Sequence, residues 1–171
     1  ALVIGGGLAG MTSALSIARQ GFDVYLVERE AELGGNLRHI HVGLTPQDGP
    51  QRLLRRMVAA VMAEPHIQVY TSARLVEMGG YTGQYRSALR LADGSRLELE
   101  HGALVVATGG KGITPSGYMY GEHHHVLTQS ELEAFLSVSR TAKEAGIDRP
   151  TRPLPMTPDA TFVMIQCVGS R

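Results

Sequence analysis

The sequence predicts an α/β fold in which a parallel sheet carries helices on both faces and is interrupted by a small antiparallel β-meander. Early in the chain, short apolar runs alternate with stretches of helical periodicity, which is typical of strand–helix–strand units. Farther along, apolar and polar residues alternate with period two, which indicates antiparallel strands with one solvated face. A last apolar run before residue 107 is predicted to rejoin the parallel sheet.

The first unit contains a glycine-rich loop. Apolar residues 1–4 run into the GxGxxG motif Gly5-Gly6-Gly7-Leu8-Ala9-Gly10, and a helix is predicted over Met11–Gln20. Gly5 permits a tight turn, Gly7 lets backbone approach a pyrophosphate, and Gly10 lets the helix pack against the strand. The unpaired N–H groups at the helix N-terminus favour an anion. The loop therefore predicts a Rossmann-like dinucleotide-binding fold.

The predicted second strand, Phe22–Val27, is followed directly by Glu28. A carboxylate at this place can accept hydrogen bonds from both hydroxyls of an adenosine ribose, and it repels a 2′-phosphate. An NADP-type ligand is therefore disfavoured.

The segment after this strand indicates which dinucleotide is bound. Glu32-Leu33-Gly34-Gly35-Asn36-Leu37 resembles the FAD-binding half of the two-dinucleotide-domain flavoproteins, the group that contains thioredoxin reductase and glutathione reductase. Downstream, Ala103–Val106 runs into Ala107-Thr108-Gly109-Gly110, which is similar to the second FAD signature of that group. Small residues at both places allow backbone to approach a long ligand. The resemblance implies FAD as the cofactor.

The resemblance also implies a role for each matching residue. Gly5, Gly7, Leu8, Ala9 and Gly10 would contact the pyrophosphate and Glu28 the ribose. Arg29 would flank the adenine, and Leu75 is either a backbone contact to adenine or a core residue. The middle and far side of the cofactor would be contacted by Gly34, Gly35, Asn36, Leu37, Ala107, Thr108 and Gly109.

The remaining elements fit the same architecture. A helix is predicted over Gln47–Ala63 and a third parallel strand over Ile67–Thr71. The meander, at about residues 73–100, comprises Leu75–Met78, Ser87–Leu91 and Arg96–Leu99, with Asp93-Gly94 as a hairpin turn. A later helix is predicted over Gln129–Val138, with Thr128 or Ser130 as its N-cap.

Residues 1–138 are predicted to form the FAD-binding domain, 139–160 a proline-rich connector, and 161–171 a strand that starts or returns from a second, absent domain. The ending Phe162–Arg171 is similar to a segment of the A-type heterodisulfide reductase subunits and of their relatives in quinone-interacting complexes. Ala1 lies within a predicted strand, so we expect the chain to be part of a larger flavoprotein.

Composition excludes several classes of function. The 16 basic and 16 acidic residues leave no excess charge to attract nucleic acid. One cysteine provides no disulfide framework, which suits a cytoplasmic protein, and no apolar segment is long enough to span a membrane. Cys167 is interpreted as a buried strand residue. The His123-His124-His125 run is interpreted as a solvated loop rather than a metal site, so no metal is predicted.

The resemblance implies an FAD-dependent electron-transfer oxidoreductase that passes electrons to iron–sulfur domains or partner subunits of a multi-subunit complex. The chain has no cysteine-rich stretch for such clusters and no second glycine-rich loop. We therefore expect it to be inactive alone, and the catalytic residues are not identified. The alternative is a non-catalytic NAD(H)-binding or assembly domain that keeps the fold.

Overall fold

The computed structural model describes residues 1–41, 49–145 and 159–165. Contacts divide the chain into a first unit, residues 1–38 and 43–110, and a second unit, residues 39–42 and 111–171. The described elements are, in chain order, β1 (Leu2–Ile4), α1 (Leu8–Ala18), β2 (Val24–Val27), a 3₁₀ helix (Gly35–His39), α2 (Pro50–Ala63), β3 (Ile67–Tyr70), β4 (Arg74–Tyr81), β5 (Gln84–Arg90), β6 (Arg96–His101), β7 (Leu104–Val106) and α3 (Gln129–Ala145).

The parallel sheet of the first unit has the strand order β3-β2-β1-β7. In the register of the inner strand β1, Val3 lies beside Leu26 of β2 and Val105 of β7. Because the strands run in the same direction, the loops that follow β1, β2 and β7 leave the sheet at one edge. Ligands of open α/β sheets bind at that edge.

The two faces of the sheet are covered differently. One face, which includes Val3 and Leu26, packs with α1 and α2 in the main hydrophobic cluster. The other face, which includes Leu2 and Val27, packs against the meander through Leu89. The predicted parallel sheet, helices and meander are confirmed. Within the first unit, the meander takes the place of helices on the second face, because its apolar side chains supply the layer that this face needs.

Element boundaries differ from the prediction where turn chemistry outweighs periodicity. Helix α1 begins at Leu8 instead of Met11, because the Met11 N–H donates to the Gly7 carbonyl (2.9 Å) and closes an earlier first turn. Helix α2 begins at Pro50, whose fixed φ suits a first helical position. Residues 47–48 of its predicted start lie outside the described residues.

The second unit contains α3, which begins with a capping box. The Thr128 hydroxyl accepts from the Glu131 N–H (3.3 Å), and the Glu131 carboxylate accepts from the Thr128 N–H (2.7 Å). Of the two predicted caps, Thr128 is therefore the one used. The Tyr120 phenol also donates to this carboxylate (2.9 Å), and this hydrogen bond raises the Tyr120 pKa.

The end of the chain departs from the prediction. Helix α3 extends to Ala145, past the predicted end at Val138 and into the predicted connector. In the described part of the predicted final strand, residues 162–165 form no strand, and Val163 is 81% exposed. A strand needs a hydrogen-bonding neighbour, and none of the described residues pairs with this segment. Cys167 lies outside the described residues. None of the described helices combines the length and apolar character needed to cross a bilayer.

A buried histidine lies where β5 and β6 pair. The Ser87 hydroxyl is 2.8 Å from Nε2 of His101, and Nδ1 of the same ring is 2.9 Å from the Ala103 carbonyl oxygen. Since a carbonyl only accepts, Nδ1 carries the proton and Ser87 donates to Nε2 in the neutral ring. Burial lowers the pKa of His101 below its ordinary value of 6.5.

We predict that the free energy of unfolding falls as the pH is lowered below 6.5, the ordinary histidine pKa. In the interval between the lowered folded-state pKa and 6.5, the unfolded chain binds a proton at His101 that the folded chain does not, so protonation favours unfolding. The contribution is at most about 1.4 kcal/mol per pH unit. Denaturant titrations at several pH values should show a shallower dependence for His101→Gln than for the exposed control His39→Gln. Equal dependence in both variants would contradict the assignment.

Candidate dinucleotide site

The site begins with a close approach of three backbone segments. Gly5 has φ +106°, and its N–H donates to the Val27 carbonyl (2.8 Å). A Cβ at Gly5 would collide with the carbonyl oxygen of Ala107, and a Cβ at Gly10 would collide with the carbonyl oxygen of Gly5. The end of β1, the start of α1 and the end of β7 therefore meet at glycines, as the motif spacing predicts.

Gly7 differs from its neighbours because it faces open space. A Cβ added there would have no atom within 4 Å, and its φ of −73° is available to any residue. Leu8 and Ala9, in the first turn of α1, are exposed, and that turn contains no acidic residue. The first four N–H groups of a helix have no partner within it. This part of the loop can therefore receive an anion close to the backbone.

Glu28 is buried, with only 6% of its surface exposed, and its carboxylate is held by main-chain donors. The Gly6 N–H donates to Oε2 (2.7 Å) and the Glu30 N–H donates to Oε1 (2.9 Å). A carboxylate has about four acceptor positions, so two are left for further donors such as ribose hydroxyls. The carboxylate is thus fixed in orientation before any ligand is present.

The second glycine segment lies against the first. The Gly34 N–H donates to the Gly6 carbonyl (2.7 Å), and Gly34 pairs with Gly7 in a parallel bridge. Gly35 has φ +50°, and a Cβ there would lie 3.2 Å from the Gly7 Cα. Both positions require glycine for this approach.

Two side chains hold the turn that follows. Nε2 of Gln51, in the first turn of α2, donates to the carbonyls of Leu37 (3.1 Å) and Arg38 (3.1 Å). The Arg38 guanidinium donates to the Leu33 carbonyl (2.8 Å) and pairs with the Glu32 carboxylate. Sequence reasoning missed Gln51 and Arg38, as it missed the Gly6 N–H, because no motif spacing marks them.

The third segment, residues 107–110, follows β7. The Ala107 N–H donates to the Ile4 carbonyl (2.8 Å), which continues the pairing with β1. Thr108, Gly109 and Gly110 are exposed, and Nδ2 of Asn36 donates to the Gly110 carbonyl (3.0 Å). The three predicted cofactor segments are thus brought together in the first unit.

Three other predicted residues have different surroundings. Arg29 is exposed and pairs with Glu30 (3.1 Å). The Leu37 side chain packs on the main hydrophobic cluster, and the Leu75 side chain, in β4, packs on the cluster beneath the meander. Leu37 and Leu75 therefore offer a ligand mainly their backbone.

In the second unit, the rings of His124 and His125 lie 4.0 Å apart between centroids. The described residues contain no group of three or more His, Cys, Asp or Glu side chains arranged to hold a metal ion. A separate groove runs between α1 and α2, away from the predicted residues, and is lined by Thr12, Leu15, Ser16, Arg19, Gln20, Arg56, Met57 and Ala60.

Comparison with known proteins gives the family. Residues 1–105 match the family described as FAD dependent oxidoreductase. The chain belongs to this family. A relative from Methanopyrus kandleri, the second of its two A-type iron-sulfur subunits of CoB–CoM heterodisulfide reductase, is 39% identical over 85 residues, which cover 50% of this chain and 13% of the relative. The chain thus resembles the A-type heterodisulfide reductase subunits over about half its length, as predicted, and the match spans a small part of that protein.

Solved structures of this fold include two further oxidoreductases. The L-proline dehydrogenase of P. horikoshii superposes with a TM-score of 0.56 at 21% identity, covering 63% of this chain and 22% of that one. The thioredoxin reductase of Lactococcus lactis superposes with a TM-score of 0.54 at 20% identity, covering 70% of this chain and 39% of that one. At these identities the likeness shows the fold.

FAD, the cofactor of the family, fits what the loop residues leave open. The space beside Gly7 is one that a Cβ would fill, while the close contacts at Gly5, Gly10 and Gly34 are made by the protein itself. The free acceptor positions of Glu28 match donors, and the exposed amides at the start of α1 match an anion.

The loop glycines give a prediction that separates folding from binding. Gly10→Ala places a methyl group against the Gly5 carbonyl and should lower the free energy of unfolding by about 1–3 kcal/mol. Gly7→Ala meets no atom within 4 Å and should stay within about 1 kcal/mol of wild type, because a weaker N-cap is offset by lower unfolded-state entropy. Chemical denaturation measures both. Equal losses in the two variants would contradict the described packing.

A second prediction concerns Glu28. Glu28→Gln replaces one carboxylate oxygen with an amide that cannot accept, so either the Gly6 or the Glu30 N–H loses its partner. We expect the free energy of unfolding to fall by about 1–3 kcal/mol. Glu30→Gln is the matched control, since its carboxylate is exposed and its N–H still donates to Glu28. Similar stability of the two variants would show that the Glu28 carboxylate is not held as described.

Proposed function

We propose that this chain is the FAD-binding module of an electron-transfer oxidoreductase that resembles the A-type heterodisulfide reductase subunits. The observation that carries the proposal is the open position at Gly7, flanked by the fixed carboxylate of Glu28 and by the Gly34-Gly35 turn. A dinucleotide needs these three features in this order: an anion site, a ribose acceptor and a close backbone surface.

Each segment has a separate task in the proposal. The amides of Leu8, Ala9 and Gly10 receive the pyrophosphate, and Glu28 accepts from the ribose hydroxyls. Arg29, with its charge partly satisfied by Glu30, flanks the adenine together with the backbone near Leu75. Gly35, Asn36 and Leu37 line the middle of the cofactor. Ala107, Thr108 and Gly109 approach it from the end of β7.

The bound cofactor supplies two-electron and one-electron transfer, while the protein supplies position and electrostatics. The chain has one cysteine, whereas an iron–sulfur cluster needs about four ligands. The clusters would therefore belong to other domains or to partner subunits, consistent with the iron-sulfur designation of the Methanopyrus kandleri relative. We infer a cytoplasmic, multi-subunit complex in which this chain binds the flavin.

FAD titration of the purified chain tests the proposal. Flavin fluorescence should report saturable binding, and Gly7→Ala should raise Kd roughly tenfold or more, because the added methyl group fills the approach to the pyrophosphate. Gly79→Ala is the control, since Gly79 lies in β4 and an added Cβ there also meets nothing within 4 Å. An excess of NADP should not displace FAD, because Glu28 repels a 2′-phosphate.

Two outcomes would overturn the proposal. One is a folded chain that does not bind FAD, and the other is binding that Gly7→Ala and Gly79→Ala affect equally. Saturable NAD binding without FAD binding would favour the alternative function, a non-catalytic NAD(H)-binding or assembly domain.

A further inference from the structure

The third segment of the site has few contacts that hold it. After Ala107, which pairs with β1, residues 108–110 are exposed, and Gly109 has φ +67°. A Cβ added at Gly109 or Gly110 would meet nothing within 4 Å, so no packing confines them. Within the described residues, the side chain that hydrogen-bonds this segment is Asn36, through Nδ2 to the Gly110 carbonyl (3.0 Å).

The chemistry of this contact fixes the Asn36 carboxamide. A carbonyl oxygen only accepts, so the amide group of Asn36 faces Gly110 and Oδ1 faces away. The backbone of Asn36 is itself fixed, because Gly35 lies against Gly7 and Gln51 holds the end of the same 3₁₀ helix. A well-anchored residue is thus bonded to a weakly anchored loop.

We propose that Asn36 is a positioning residue that ties the 107–110 segment to the Gly34-Gly35 turn, so that both sides of the cofactor site are set before FAD binds. This inference rests on the proposed function and assigns Asn36 a task beyond contact with the cofactor. Because the hydrogen bond is exposed, it adds little to the stability of the fold. Its effect is on the loop and, through the loop, on cofactor affinity.

Two substitutions separate the hydrogen bond from the volume of the side chain. Asn36→Ala removes the donor, and Asn36→Asp keeps the shape but directs a carboxylate oxygen at the Gly110 carbonyl. Gln20→Ala is the matched control, because Nε2 of Gln20 makes an equally exposed amide–carbonyl hydrogen bond to Ser16 (2.8 Å) within α1. All three variants should unfold at nearly the wild-type temperature.

The first measurement uses the chain without FAD. The ¹⁵N heteronuclear NOE of Gly109 and Gly110 should fall in Asn36→Ala and Asn36→Asp, and should keep its wild-type value in Gln20→Ala. The second measurement is the FAD titration, in which both Asn36 variants should raise Kd by roughly fivefold and Gln20→Ala should not.

The two measurements fail in different ways. Weaker FAD binding with unchanged Gly109 and Gly110 signals would overturn the positioning role, because Asn36 would then act by direct contact alone. Mobile loop signals with unchanged FAD affinity would overturn it as well. If the wild-type chain binds no FAD, the proposed function fails, while the NOE measurement still decides whether Asn36 restrains the loop.

Discussion

The backbone contact among Gly5, Gly10 and Ala107 is the constraint on which the rest of the first unit depends. Helix α1 can start directly above the sheet because no side chain separates Gly10 from the Gly5 carbonyl. The same absence of a side chain at Gly5 lets β7 return beside β1. Since three chain segments meet without Cβ atoms, the amides of α1 face the sheet edge where a ligand of this fold binds.

Glu28 connects this packing to ligand chemistry. Its own backbone is held between β3 and the segment that follows β3, through Tyr70 and Ala73. Its carboxylate is then oriented by the N–H groups of Gly6 and Glu30. A buried carboxylate without donors would be costly, so these amides both satisfy it and direct its remaining acceptor positions. The site is therefore organised by main-chain geometry, which changes little on binding.

Sequence reasoning succeeded where a local signal has one physical solution. The GxGxxG spacing, the Asp93-Gly94 turn and the Thr128 cap are examples, since few conformations satisfy each of them. It failed for contacts between residues far apart in sequence, such as Gly6 with Glu28 and Asn36 with Gly110, because one sequence carries no signal for them. The end of α3 was missed because no glycine or proline follows Val138 directly.

Mapping FAD onto the backbone by NMR tests the central claim most directly. Amide shifts of the ¹⁵N-labelled chain should change on FAD addition in three segments: the loop from Gly5 to Gly10, the turn at Gly34 to Asn36, and residues 107–110. The groove between α1 and α2, with Arg19 and Arg56, is the alternative location. Shifts confined to that groove, with the three glycine segments unchanged, would contradict the assignment of this site to FAD.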